Sequence, residues 1–182
     1  MATLLLIRHA EPAIRGTFLG QEDPPLSPAG HEQAKEALSG LKVNIAYVSP
    51  LRRAWETAAY LRSECVVLPE LREIDFGEWN GRTWQQIQAR WPALAREKTA
   101  NWLEITPPSG ESWTDFLNRV RAAWLRIRKG PTPAAVVAHA GVNAALAHLI
   151  DGRSPLHFQQ RYTEVTGIEY GSDSRHDQEH SV

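Results

Sequence analysis

Two short apolar runs in this chain each break off at a histidine. Thr3-Leu4-Leu5-Leu6-Ile7 leads through Arg8 into His9, and Ala134-Ala135-Val136-Val137-Ala138 leads directly into His139. Periodicity alone does not separate strand from helix in runs this short, but their length and abrupt polar ends favour buried parallel strands. Elsewhere the pattern is helical. Ser27-Pro28-Ala29-Gly30 offers an N-cap followed by proline at the first helical position, predicting a helix to about Leu38. Trp113, Leu117, Val120, Trp124 and Ile127 step by 4, 3, 4 and 3, the spacing of an amphipathic helix that Gly130-Pro131 stops. Ala46 to Val48 reads as a strand, Leu51 to Arg62 as a helix, Cys65 to Leu68 as a third apolar run, and Val142 to Ile150 as a helix. Residues 69–110 are less regular, punctuated by proline and glycine, with a helix around Thr83 to Arg90. Strands alternating with helices predict an α/β fold: a three-layer α/β/α sandwich with a mostly parallel central sheet and a helical insertion covering the active site.

The 182 residues suit one domain, expected over 1–170, with a polar, disordered tail over 171–182. A net charge of −1, with both signs mixed along the chain, gives no field for nucleic acid or a membrane surface. The apolar start is too short for a signal peptide and lacks a preceding basic region, and no run approaches the length that spans a bilayer. A cytoplasmic protein is expected. The single cysteine, Cys65, excludes an intramolecular disulfide and is expected to be a buried structural thiol.

In open parallel sheets, ligands bind in the crevice beyond the carboxyl ends of the strands. If the two histidine-ending strands lie side by side, both imidazoles project into one crevice. Arg8 supplies a fixed cation there, and Arg53, near the start of a helix, can supply another. The segment Leu71-Arg72-Glu73-Ile74-Asp75-Phe76-Gly77-Glu78 offers carboxylates. Histidine, guanidinium and carboxylate are the groups needed for phosphoryl transfer without a metal. Taken singly, each has a plainer reading: a surface arginine, a strand-end histidine, a solvated loop acid.

The order of the segments is what links them. Arg8-His9-Ala10-Glu11 resembles the Arg-His-Gly signature of the histidine phosphatase (phosphoglycerate mutase-like) superfamily. Leu26-Ser27-Pro28-Ala29-Gly30 is similar to that family's first helix start, and Ser49-Pro50-Leu51-Arg52-Arg53-Ala54-Trp55-Glu56-Thr57-Ala58 to its Ser-x-Leu-x-Arg-Ala-x-x-Thr-Ala segment. Residues 71–81 resemble its acid-bearing loop, and Val136-Val137-Ala138-His139-Ala140-Gly141-Val142 its second-histidine strand and turn. The resemblance implies that His9 is the nucleophile and becomes a phosphohistidine. Arg8 and Arg53 would clamp phosphate oxygens, His139 would donate to the phosphoryl group, and Glu73, ahead of Asp75 and Glu78, would protonate the leaving oxygen. It implies no metal and no cofactor. His31, His148 and His157 match no motif.

The pattern departs at Ala10 and Ala140, where relatives often carry glycine. An alanine held at positive φ costs about 1 kcal/mol or more, so Ala10 is expected at negative φ. Arg15 stands where many relatives have asparagine and is expected to bind anionic substrates at the pocket rim. Gly20 and Gln21 fall where relatives contact substrate. Only 66 positions separate Glu73 from His139, and they include Pro107-Pro108-Ser109-Gly110-Glu111-Ser112. Both features resemble the small phosphatase branch, which includes α-ribazole phosphatases and fructose-2,6-bisphosphatase-like enzymes. The expectation is a phosphatase acting on a small phosphorylated metabolite, with α-ribazole 5'-phosphate as the specific candidate. A phosphoglycerate mutase and a non-catalytic phospho-ligand binder are the alternatives. Trp79, Trp84 and Trp102 either pack the insertion, the favoured reading, or wall the pocket for a ring-bearing leaving group.

Overall fold

The computed structural model describes residues 1–171, so the segment 172–182 of the expected tail lies outside the described residues. Four strands run parallel: β1 (Ala2–Arg8), β2 (Ile45–Val48), β3 (Glu64–Val67) and β4 (Ala134–Ala138). A fifth, β5 (Val165–Tyr170), pairs antiparallel with β1, and the sheet order is β3-β2-β4-β1-β5. The helices are α1 (Pro28–Leu38), α2 (Arg52–Ala58), α3 (Trp84–Arg90), α4 (Pro92–Ala100), α5 (Trp113–Ile127) and α6 (Ala140–Asp151).

Strand alternation divides the core into two layers. Leu4, Leu6, Val136 and Ala138 pack with Phe116, Val120 and Ile127 of α5 and Leu146 of α6. Ile7, Ala46, Val48, Ala135 and Val137 pack with Leu38 of α1 and with Ala54 and Ala58 of α2. Burying each large aliphatic side chain contributes roughly 1.5–3 kcal/mol, which holds the helices on both faces of the sheet. All five residues of β4 are fully buried between its two parallel neighbours. The expected three-layer α/β fold is the one observed. No helix among the described residues is long and apolar enough to cross a membrane.

Local signals set most of the boundaries. Ser27 Oγ accepts from Gly30 N at 2.9 Å and begins α1. Ser112 Oγ does the same for Asp115 N at 3.1 Å and begins α5. The structure departs from expectation at four places. α2 ends at Ala58, because Tyr60 N and Leu61 N bond to Thr57 and Ala58 carbonyls three residues back and turn the chain. α4 was not expected: Pro92, which reads as a breaker, occupies the first turn of a new helix, where its missing N–H is harmless. β5 was also not expected. It is an edge strand that buries only Ile168 and Tyr170. Cys65 is exposed rather than buried, because β3 is the other edge and only Leu68 beyond it is enclosed.

Candidate active site

β1 and β4 are in register through Arg8 and Ala138, and His9 N donates to Ala138 O at 2.9 Å. The two histidines therefore emerge side by side from neighbouring parallel strands, with ring centroids 5.2 Å apart. His9 borders a cavity of about 180 Å³ whose lining also includes Arg8, Arg15, Gly20, Arg53, Glu73, Ala140 and Tyr162; His139 is fully buried beside His9 and is not among the lining residues. Crevices of this kind are where open α/β sheets hold ligands.

Hydrogen bonding selects the form of each imidazole. His9 is 5% exposed, and its Nδ1 lies 2.7 Å from Ala10 O, a carbonyl that can only accept. Nδ1 therefore carries the proton, and Nε2 keeps a lone pair. Arg53 Nε donates toward that Nε2 at 3.3 Å. Burial first, then the Arg53 and Arg8 cations, push the His9 pKa down to about 3, against the upward pull of the Ala10 carbonyl. At neutral pH, His9 is an uncharged base whose unprotonated Nε2 makes a long contact with Arg53 Nε.

His139 is fully buried, and its Nε2 lies 2.8 Å from Ser49 Oγ. Ser49 Oγ also accepts from Leu51 N at 3.3 Å, and its hydroxyl proton is able to point to His139 Nε2. In that tautomer Nδ1 of His139 bears the hydrogen, and it has no hydrogen-bond partner among the described residues. Burial and the Arg53 cation hold this histidine well below its ordinary pKa too. Arg8 Nε and the pocket-lining Thr17 Oγ1 are likewise buried and unpartnered. Buried polar groups are rarely left unmet, and these three have the hydrogen-bonding capacity to hold a phosphoryl group.

The arginines are fixed differently. Arg53 is 1% exposed; its Nη2 donates to Gly20 O at 2.8 Å and its Nη1 to Glu22 O, tying the 20–22 loop to α2. Arg8 Nη1 donates to Gln160 O at 2.7 Å, and its guanidinium stacks 4.4 Å from the Tyr162 ring centroid. Glu73 is half-buried, with its carboxyl at the enclosed end, where Ile74 N and Gly141 N donate to its two oxygens at 3.0 and 3.1 Å. Gly141 is required for this approach: a Cβ there would sit 2.4 Å from Glu73 Oε1. Burial raises the Glu73 pKa, while those two amides and the Arg53 and Arg8 charges pull it down.

Of the competing acids, Asp75 accepts from Gly77 N and Asn80 Nδ2 in its own turn, and Glu78 is exposed. Neither lines the cavity. Ala10 is absent from the positive-φ residues, so the expectation for its backbone holds. Its N–H donates to Thr57 Oγ1 at 2.9 Å, and its methyl packs with Leu26 and Ala34. Ala140 is the first residue of α6 and needs no glycine.

Arg15 lines the rim, 65% exposed and paired with Glu11 at 2.9 Å. Gln21 stays outside the cavity and donates to Glu73 O at 3.4 Å. The tryptophan wall is not observed. Trp79, Trp84 and Trp102 gather around Phe18, and the rings reaching the cavity are Phe18, Phe76 and Tyr162. Sequence reasoning missed Thr17 and Tyr162, which lie in segments without periodicity. The stacking of Arg8 on Tyr162 has no linear signature.

The two depressed histidines make the fold acid-sensitive. In the unfolded chain both titrate near 6.5, so below that pH the unfolded state binds more protons. Stability is full above about pH 6.5 and is lost as pH falls toward the folded-state values, by about 1.4 kcal/mol per pH unit for each histidine. The thermal midpoint is expected to fall between pH 7 and pH 5, and the double substitution His9→Asn, His139→Asn to flatten that fall. An equally steep fall in the double variant would assign the acid sensitivity elsewhere.

Comparison with known proteins shows the family and the fold. The family model described as the histidine phosphatase superfamily (branch 1) matches residues 4–180. A bifunctional protein of Mycobacterium tuberculosis is 38% identical over 147 residues, covering 74% of this chain but only 39% of that protein. A 2,3-bisphosphoglycerate-dependent phosphoglycerate mutase of Brucella anthropi is 31% identical over 175 residues, covering 84% of this chain and 83% of the mutase. The crystal structure of the α-ribazole phosphatase from Shigella flexneri matches with a TM-score of 0.81 at 27% identity, covering 92% of this chain and 90% of that one. With the family model spanning nearly the whole sequence and a solved member sharing the fold, this chain belongs to the histidine phosphatase superfamily, branch 1.

Proposed function

We propose that the chain hydrolyses phosphomonoesters through a phosphohistidine on His9, acting on a small phosphorylated metabolite. The observation that carries this reading is the bare Nε2 of the neutral His9, with two guanidinium groups and the unpartnered His139 Nδ1 beside it. In the first step, Nε2 attacks phosphorus in line as the P–O bond to the leaving group breaks. Glu73 gives its proton to the departing oxygen. In the second, water attacks the same phosphorus, the N–P bond breaks, and the water proton passes to Glu73. Arg8, Arg53 and His139 hold the three peripheral oxygens as charge redistributes. The raised Glu73 pKa suits a group that must be protonated in one step and basic in the next.

Hydrolysis is favoured over mutase chemistry by the short interval between Glu73 and His139 and by the open rim at Arg15, since a mutase must keep water from its phosphoenzyme. The specific substrate proposed is α-ribazole 5'-phosphate. It is supported by the likeness to an α-ribazole phosphatase and by the apolar rim residues Ile14, Phe18 and Phe76. A panel of phosphomonoesters, with a mutase assay primed by bisphosphoglycerate, tests the proposal. The highest kcat/KM is expected for hydrolysis of a ring-bearing ester. Faster mutase turnover would favour the mutase, and tight phosphate binding without turnover would favour a phospho-ligand binder. In the same panel, Arg15→Ala is expected to raise KM several-fold only for substrates with a second anion. Unchanged KM values would leave Arg15 as a partner of Glu11 alone.

A further inference from the structure

Among the described residues the Glu73 carboxyl receives hydrogen bonds from two backbone amides, Ile74 N in its own loop and Gly141 N at the start of α6, so its aim depends on how that loop is set against α6. That loop is held from behind by an ion pair, Arg119 with Glu111, neither member of which lines the cavity. Arg119, in the middle of α5, uses all five of its N–H donors there. Nη1 donates to Glu70 O and to Arg72 O, each at 2.8 Å, and Nη2 to Glu73 O at 3.4 Å. The other two, from Nε and Nη2, reach the two carboxylate oxygens of Glu111 at 2.9 and 2.6 Å. Glu111 takes the far end of the loop: its Oε2 accepts from Asp75 N at 3.3 Å, and its own N donates to Asp75 O at 2.8 Å.

Residues 70–75 are thus gripped at four of their six positions by one bidentate pair. The pair is largely enclosed, with side-chain exposures of 22% for Arg119 and 17% for Glu111. A fork of this kind is specific to arginine; lysine has three donors on a single atom. On the opposite side of the loop, the Glu73 carboxyl fits against Gly141 with no room for a Cβ, so small shifts of the loop backbone change its aim.

We infer that Arg119 and Glu111 are positioning residues that aim Glu73 at the leaving oxygen. This rests on Glu73 being the proton donor. The prediction separates from a general loss of stability by its dependence on the leaving group. Nitrophenolate departs as a stable anion and needs little protonation, whereas an alkoxide must be protonated as it leaves. The value of kcat/KM reports steps only up to P–O cleavage, so it isolates the acid's contribution from later water attack.

The experiment compares kcat/KM for 4-nitrophenyl phosphate and glycerol phosphate in the wild type, Glu73→Gln, Arg119→Met and Glu111→Gln. The methionine stem still covers Phe116, against which the Arg119 guanidinium now lies at 5.0 Å. Glu73→Gln is expected to lose about 10²–10⁴-fold on the alkyl ester and far less on the aryl ester. Arg119→Met is expected to lose about 10–100-fold on the alkyl ester, while the aryl ester stays within about threefold. Glu111→Gln moves the ratio the same way by less, and it carries the test if Arg119→Met does not fold. If Glu73→Gln is selective but the Arg119 and Glu111 variants lose both substrates equally, or neither, the positioning role is overturned and Glu73 stands as the donor. If Glu73→Gln is itself unselective, the donor assignment fails and the inference fails with it.

Discussion

His9→Ala is expected to abolish turnover of every phosphomonoester the enzyme accepts, with losses on the order of 10⁴-fold or more, as when other covalent enzymes lose their nucleophile. The size of the effect follows from the placement of His9 Nε2. The Ala10 contact at Nδ1 leaves that atom unprotonated, it accepts only a long 3.3 Å contact from Arg53 Nε among the described residues, and the ring is kept neutral by burial and by Arg53. Alanine leaves Arg8, Arg53 and His139 able to bind phosphate, so ligand affinity is expected to survive while chemistry is lost. The fold is expected to survive as well, because the β1 ladder is held by its backbone. Turnover unchanged in His9→Ala would mean that another nucleophile, or a contaminating phosphatase, does the work.

Arg53→Ala is expected to lower kcat/KM by about 10²–10³-fold or more on every substrate, whatever its leaving group. Two losses combine. The phosphoryl group loses a buried guanidinium, and Gly20 and Glu22 lose the donors that tie their loop beside the cavity. Arg53→Lys keeps the charge but cannot fork between two carbonyls while also reaching His9, so it is expected to recover little. The pH profile distinguishes the electrostatic contribution. After burial, Arg53 is the largest cause of the low His9 pKa, so in Arg53→Ala that pKa rises. Because His9 must be neutral to attack, the acid limb of kcat/KM is expected to move to higher pH. An acid limb in the same place would mean that Arg53 acts only through phosphate and the loop.

Much of this site was legible in the chain because its elements advertise themselves locally. A buried parallel strand is a short apolar run, and a histidine at its end stands out, so His9 and His139 could be placed together before any contact was known. The N-cap Ser27 and the period of α5 mark helices in the chain, and the Ser112 cap of α5 is seen only in the structure. Edge elements were harder to read. β3 and β5 bury few side chains, and this is why Cys65 was misjudged and β5 went unseen. Groups defined by long-range contact carried no signal at all. Tyr162 matters because Arg8, 154 positions earlier, lies against its ring. Arg119 looks like one more charge on the polar side of an amphipathic helix until the carbonyls of Glu70, Arg72 and Glu73 are seen to converge on it. The tryptophans follow their favoured reading: rather than walling the pocket, they build the core of the insertion around Phe18.

The central claim is that phosphorus becomes bonded to His9. Rapid-quench peptide mapping, at neutral to alkaline pH during turnover of a chromogenic phosphomonoester, measures this directly. The account predicts one acid-labile phosphoryl group on the peptide containing Ile7-Arg8-His9, absent from His9→Ala. A phosphoryl group on any other residue, or steady turnover with no label on His9 at the shortest quench times, would contradict it.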